Sequence, residues 1–183
     1  MMCGRTGLAR LARVTIAGTL ACSIAFSVAA DPAVPGVRST NPAINALVKE
    51  AVERSRTFRQ LVERIAQTDG IVYVEDGRCG HSVRACLVMQ ITTTPEFRLL
   101  RIVIDASVAA LANTAELMGS LGHELRHALE VLTNASITTH AQMFAFYARE
   151  FPTSRATFET RAAVEAGDKV RKELALYGRN VGF

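Results

Sequence analysis

The feature that most constrains this chain is a helical pattern that carries a fixed arrangement of histidine and glutamate. Leucines and alanines recur at three- and four-residue steps over residues 117–132, which predicts an amphipathic helix with a buried face. Within it His123 and His127 are four positions apart, so their imidazoles lie on one face, one turn apart. Two imidazoles at this spacing can bind one zinc ion at about 2.0–2.1 Å each. Glu124 lies at the edge of the same face, where a carboxylate can take a proton from water.

This His-Glu-x-x-His pattern resembles the motif of the zincins, a family of zinc metallopeptidases. The resemblance implies that His123 and His127 bind Zn²⁺ and that Glu124 is the general base. Zincins prefer an uncharged residue at the position of Arg126, which can pair with Glu130 one turn further on. Glu130 also follows His127 by three residues, so orienting that imidazole is an equally good role for it.

A catalytic zinc site needs a third protein ligand and an open position. The metzincin spacing places Thr133 where the third histidine would stand, so the resemblance favours gluzincins, which take a glutamate from a later helix. The apolar stripe of the last predicted helix, extended backwards, passes through Glu159, and a carboxylate buried there is costly unless it is paired or binds a metal. Glu165 has basic neighbours one turn away on both sides, which is typical of a surface residue. The expected zinc ligands are His123, His127 and Glu159, and the alternatives for the third ligand are Glu150 and His140.

Residues 1–30 have the features of a secretory signal peptide. Three arginines precede an apolar stretch at residues 14–28, and small residues provide a cleavage site before Asp31. A lipoprotein signal that ends at Cys22 is the alternative. The removed segment carries three arginines and no acid, so the net charge falls from +4 to +1, which gives no case for nucleic-acid binding. We expect an exported protein, periplasmic or secreted, with no membrane span in its mature chain.

Cleavage of the signal peptide leaves two cysteines, Cys79 and Cys86. An even pair in an exported protein predicts a disulfide bond. Closing so short a loop stabilises by about 2–3 kcal/mol in the chain-entropy model. In the rival interpretation Cys79, His81 and Cys86 bind a metal, but no fourth ligand lies near them in the sequence.

The remaining chain predicts one α+β domain. Residues 31–42 hold three prolines and few apolar residues, so we expect an N-terminal arm followed by a single domain at 43–183. The predicted elements are a helix at 43–67, strands at 71–75, 86–93 and 99–104, the motif helix at 114–132, and helices at 139–149 and 154–177. Short links between the strands favour an antiparallel meander. The expected fold is zincin-like, a small antiparallel sheet packed against the active-site helix, with flanking N- and C-terminal helices.

The resemblance implies a zinc-dependent metallopeptidase that hydrolyses bonds in a peptide or protein substrate, with Glu124 as general base. Tyr147 and His140 are candidates for a donor to the developing oxyanion, although core packing is the commoner role of a tyrosine among phenylalanines. The alternative is a non-catalytic exported module that binds zinc or a partner. Glu124 argues against that alternative, because a structural zinc site has no use for a general base. No feature of the sequence indicates an oligomeric state.

Overall fold

The computed structural model describes residues 36–80, 83–107, 113–150 and 158–181. The expected signal peptide, the lipoprotein site at Cys22, the first part of the arm and His81 lie outside these residues. The described elements are β1 (Val37–Arg38), α1 (Pro42–Arg54), α2 (Arg56–Ala66), β2 (Gly70–Asp76), β3 (Ala85–Thr93), β4 (Arg98–Ile104), α3 (Thr114–Leu132), α4 (His140–Glu150) and α5 (Arg161–Val181). Helices and a single sheet confirm the α+β class.

The sheet is mixed, so the prediction of an antiparallel meander was wrong. Its strand order is β1-β2-β4-β3, in which β2 runs parallel to both β1 and β4. Among the described strands, only the β3–β4 hairpin is antiparallel. The burial pattern explains this order. Alternate residues of β4 are fully buried, as a central strand requires, whereas most of β3 is only half-buried, as at an edge.

Part of the predicted N-terminal arm belongs to the sheet. Val37 is buried in the core and pairs with Val72, which makes β1 a short edge strand. The helix predicted over 43–67 is two helices that meet at Ser55, which has an extended backbone. The Ser55 hydroxyl accepts a hydrogen bond from the Phe58 N–H at 3.0 Å and thereby caps α2.

A carboxylate from α5 completes this cap. Glu173 accepts a hydrogen bond from the Ser55 hydroxyl at 2.6 Å. It also accepts hydrogen bonds from the N–H and the hydroxyl of Thr57, at 2.9 and 2.7 Å. Burial acts to raise the pKa of Glu173, but these hydrogen bonds outweigh it, so the pKa lies below its ordinary value. The contact ties α5 to the junction of the first two helices.

The core is built around α3, whose observed bounds, Thr114–Leu132, match the predicted ones. It packs against α5 on one side and against the sheet and α2 on others. Glycines allow the closest approach of α3 and α5. A Cβ on Gly167 would lie 3.0 Å from the Gly119 carbonyl oxygen and 3.1 Å from the His123 Cβ, tighter than ordinary van der Waals contact.

The C-terminal end of α3 is held by a buried arginine. Arg98, the first residue of β4, is 3% exposed, and its guanidinium makes two-pronged contacts with Asp69 at 2.6 to 3.0 Å. The same guanidinium donates to the backbone carbonyls of Val131, Leu132, Asn134 and Ile137. The hydrogen bond from Arg98 lowers the pKa of Asp69. A cation at the negative end of the helix dipole also stabilises that end.

The predicted disulfide between Cys79 and Cys86 is confirmed, with an S–S distance of 2.08 Å. It links the segment after β2 to the beginning of β3. Among the described helices, none combines the length and the apolar character that crossing a membrane requires.

Candidate metal centre

Helix α3 brings its two histidines together as the spacing predicts. The Nε2 atoms of His123 and His127 are 3.1 Å apart. His127 is buried and His123 is about one-sixth exposed. Burial, assisted by the neighbouring His127, lowers the pKa of His123 and favours the neutral imidazole, the form that binds metals.

Glu159 lies beside this pair, although the argument that selected it was wrong. The last helix begins at Arg161, so Glu159 precedes the helix, and its side chain is 51% exposed rather than part of a buried stripe. Thr160 caps that helix by accepting the Ala163 N–H at 2.9 Å. This cap directs the chain so that Glu159 Oε2 is 3.1 Å from His123 Nε2.

His123, His127 and Glu159 form a group that could hold a metal ion, with one ligand atom from each lying within 4.8 Å of the others. In a tetrahedral site with ligand distances of about 2.0–2.1 Å, two donor atoms lie roughly 3.3–3.4 Å apart. The two separations of 3.1 Å at His123 are close to this spacing. A rotation of the exposed Glu159 side chain can close the remaining distance to His127. Two nitrogens and one carboxylate oxygen also suit a divalent transition metal.

Glu130 has both of the roles that the sequence left open. Its Oε2 lies 3.3 Å from His127 Nδ1, and its Oε1 accepts hydrogen bonds from Arg126 at 3.2 Å and from the Thr160 hydroxyl at 2.9 Å. A carboxylate at Nδ1 favours the tautomer that donates there, which leaves the Nε2 lone pair facing the site. Glu130 therefore orients His127, one of the expected ligands. It also holds Thr160, the residue directly after Glu159, which is another expected ligand.

Thr160 was missed by sequence reasoning. Its hydroxyl accepts from Ala163 and donates to Glu130, so one buried side chain both starts α5 and joins it to α3. A threonine directly before a helical run is an N-cap signal that could have placed the beginning of α5 correctly.

The carboxylate of Glu124 is mostly buried next to the histidines. Its Oε2 accepts the N–H of Leu87 on β3 at 2.8 Å, and its Oε1 is 3.9 Å from His123 Nε2. Burial raises the pKa of Glu124 to about 7, partly offset by His127 and by the Leu87 hydrogen bond. A carboxyl group with this pKa can exchange a proton near neutral pH.

The two candidate oxyanion donors are engaged elsewhere. Tyr147 is 1% exposed and its hydroxyl donates to the His127 carbonyl at 3.1 Å, while burial raises its pKa. His140 is exposed, and its Nδ1 is hydrogen-bonded to the carbonyl of Met89 on β3. Tyr147 thus packs in the core, and His140 does not belong to the group of three that could bind a metal.

Among the described residues, Glu165 does not belong to the group that could hold a metal. Glu165 is exposed and accepts a hydrogen bond from Arg161 at 2.7 Å, which confirms its prediction as a surface residue. The side chain of Glu150 lies outside the described part of the structure.

A cavity of about 270 Å³ opens beside the site. Glu124, His127 and Glu159 form its polar wall. Its other lining residues are Val83, Ala85, Cys86, Leu87, Met89, Tyr147 and Phe158.

No family model matches the chain, and no curated protein or solved structure matches it either. The interpretation of the site therefore depends on its own residues and geometry.

Proposed function

We propose that this chain is a zinc-dependent metallopeptidase of the zincin class. The observation that carries the proposal is the convergence of His123, His127 and Glu159 beside the carboxylate of Glu124. A structural metal site needs its ligands alone, whereas a hydrolytic site also needs a base. Glu124 has the position and the mostly buried environment that such a base requires.

His123, His127 and Glu159 are the residues that would hold zinc. Zinc in such a site lowers the pKa of water and polarises the carbonyl of the substrate. Glu124 takes the proton from the attacking water and passes it to the leaving nitrogen, which is the double role of a general acid–base residue. The Leu87 N–H fixes one oxygen of Glu124, so the other oxygen is directed towards the histidines.

The proposed zincin-like arrangement is an edge strand beside the motif helix. Here β3 is that edge, and its Leu87 N–H contacts Glu124. One difference from the gluzincin pattern is the position of Glu159 before α5, where gluzincins have the glutamate within a helix. Glu130 and Thr160 offset this difference, because they anchor the segment to α3.

The proposal is tested by the metal content of residues 31–183, which form a single compact unit. We expect about one zinc per chain in the natural protein and its loss or marked weakening in Glu159→Gln. Glu165→Gln is the matched control, because Glu165 is an exposed glutamate near the same end of α5 and is paired with Arg161. Full zinc occupancy in Glu159→Gln, or no zinc in the natural protein, would contradict the ligand assignment.

Peptidase activity separates the enzyme from the non-catalytic alternative. We expect the zinc-loaded protein to cleave peptides from a mixed peptide library, read by mass spectrometry, and Glu124→Gln to keep zinc while losing at least about 100-fold in rate. Stoichiometric zinc without cleavage of any peptide would favour a zinc-binding module.

We also propose that the protein is exported. The Cys79–Cys86 disulfide suits an oxidising compartment. Mass spectrometry of the protein recovered from the periplasm or the medium should find Asp31 at its N-terminus. A lipid-modified Cys22 would instead indicate an anchored lipoprotein, and an intact Met1 in cytoplasmic protein would refute export.

A further inference from the structure

We infer that the cavity beside Glu124 binds a single apolar side chain of a peptide and rejects an acidic one. As a statement about a substrate, this inference rests on the proposed function. As a statement about binding, it rests on the lining of the cavity and on the contacts that cover β3.

The lining of the cavity is apolar except along the wall that carries the candidate ligands. Leu87, Met89 and Phe158 are only partly buried against the core, so they remain accessible from the cavity. Among the described residues that line it, Glu124 and Glu159 are acidic, and neither lysine nor arginine is present. An acidic side chain that enters the apolar part of the cavity would lose its water and meet neither lysine nor arginine.

The guanidinium groups of Arg126 and Arg171 are engaged in ion pairs of their own. Arg126 pairs with Glu130 at 3.2 Å, and Arg171 pairs with Glu116 and Asp168 at 3.0 and 3.1 Å. Neither arginine lines the cavity.

The outer edge of β3 offers little room for a long added strand. The Thr93 side chain is engaged, since its hydroxyl donates to the Thr138 carbonyl at 2.8 Å. Along the β3 backbone, Glu124 accepts a hydrogen bond from the Leu87 N–H, and His140 donates one to the Met89 carbonyl. Strand addition, a common mode of peptide binding, needs such backbone groups free. Recognition at this site therefore depends on the cavity rather than on backbone pairing along the whole of β3.

The size of the cavity limits its occupant. Sites for drug-sized ligands measure about 300–1,000 Å³, and this cavity measures about 270 Å³. It fits one large side chain with part of its backbone. Burial of a leucine side chain favours binding by about tenfold to hundredfold over leaving it exposed.

Methionine methyl groups report on this binding by NMR. Met89 lines the cavity, whereas Met118 and Met143 are fully buried in the core and act as internal references. The probes are a blocked alanine pentapeptide with one central leucine and the same peptide with glutamate instead. They are titrated into zinc-supplied protein labelled with ¹³C at the methionine methyls, and the Met89 signal is assigned from its absence in Met89→Leu.

The leucine peptide should shift the Met89 methyl signal in a saturable way and bind at least about tenfold tighter than the glutamate peptide. Equal affinities, saturable binding without a Met89 shift, or no binding would each overturn the inference. Mass spectrometry of the peptide after the titration separates the two proposals. A leucine peptide that shifts Met89 and stays intact supports the inference and argues against the peptidase.

A pair of charge variants tests whether the cavity itself sets the preference. Met89→Arg places a cation in the lining, and Gln90→Arg places the same charge on the exposed neighbour, which does not line the cavity. By fluorescence anisotropy of labelled peptides, Met89→Arg should reduce the preference for leucine over glutamate by about tenfold. Gln90→Arg should leave the preference unchanged, and an equal effect of both variants would refute the role of the cavity.

Discussion

Replacing Arg98 by methionine should cost this protein a large part of its stability. The side chain is 3% exposed, and its guanidinium is hydrogen-bonded to Asp69 and to four backbone carbonyls. Methionine keeps most of the apolar stem, so the change isolates the charged head. The carbonyls at the end of α3 would lose their donor while Asp69, half exposed, could be hydrated again.

The expected loss is about 3–5 kcal/mol of unfolding free energy. Removing one partner of a buried ion pair costs about that much, since the remaining polar groups stay buried without a partner. Each hydrogen bond to a charged group contributes about 1.5–3 kcal/mol, and these contributions are not additive. Domains are typically stable by only about 5–15 kcal/mol, so the variant should unfold at a much lower denaturant concentration.

Urea unfolding followed by circular dichroism measures this loss. Arg101→Met is the matched control on the same strand, because Arg101 is 44% exposed and its contact with Glu75 is 3.7 Å long. The control should change stability by less than about 0.5 kcal/mol. Arg98→Lys should recover only part of the loss, since an ammonium cannot reproduce the planar fork. A loss below about 1 kcal/mol in Arg98→Met, or one equal to that of the control, would refute the reasoning.

Three further predictions concern the helix junctions and the disulfide. Glu173→Gln should lower the stability of the folded protein at neutral pH, and this difference from the natural chain should vanish as the pH falls below about 4. The reason is that a carboxylate with a lowered pKa stabilises the fold above its unfolded pKa and loses this effect on protonation. Thermal unfolding across pH tests this, and the exposed control Glu63→Gln should show no such trend. Gly167→Val should lower the free energy of unfolding by about 1–3 kcal/mol, because its Cβ would crowd His123. For the same reason it should weaken zinc binding, measured by titration calorimetry. Gly178→Val, with nothing within 4 Å of its Cβ, should do neither. Cys86→Ser should lower the unfolding free energy in urea by about 2–3 kcal/mol, and an unchanged midpoint would contradict the entropic argument.

Several features that depend on residues close together in the sequence were predicted correctly. The bounds of α3 followed from apolar spacing, and in the structure Asn113 caps the helix, with its Oδ1 accepting the Glu116 N–H. The disulfide followed from the pairing of cysteines. The gathering of His123 and His127 followed from helix geometry alone.

Glu159 was predicted from a helical stripe to which it does not belong. The residue lies at the metal group as expected, but the helical phase used to select it does not exist, because the helix begins two residues later. Its position depends on the cap of Thr160 and on the contact between Thr160 and Glu130, which joins residues 30 positions apart. Periodicity within one segment carries no information on such a contact.

Two other features depend on distant partners. Arg98 is a charged residue at a strand end, and such residues usually lie on the surface. The backbone carbonyls that bind its guanidinium lie up to 39 positions away in the sequence. Likewise the parallel pairing of β2 with β4 passes over β3, the strand between them in sequence. Short connections favour neighbours in sequence, but β4, whose alternate residues are fully buried, lies between β2 and β3.

The contacts along β3 also hinder aggregation through the exposed edge of the sheet. An open edge strand presents free N–H and carbonyl groups that can pair with another chain and start aggregation. At one edge, β1 is only two residues long. At the other edge, Glu124 and His140 engage the Leu87 N–H and the Met89 carbonyl, and the register of β3 shifts between Leu87 and Ile91. The residues that shape the candidate site thus also keep the sheet from growing into a second molecule, so variants that free the β3 edge are expected to aggregate on storage.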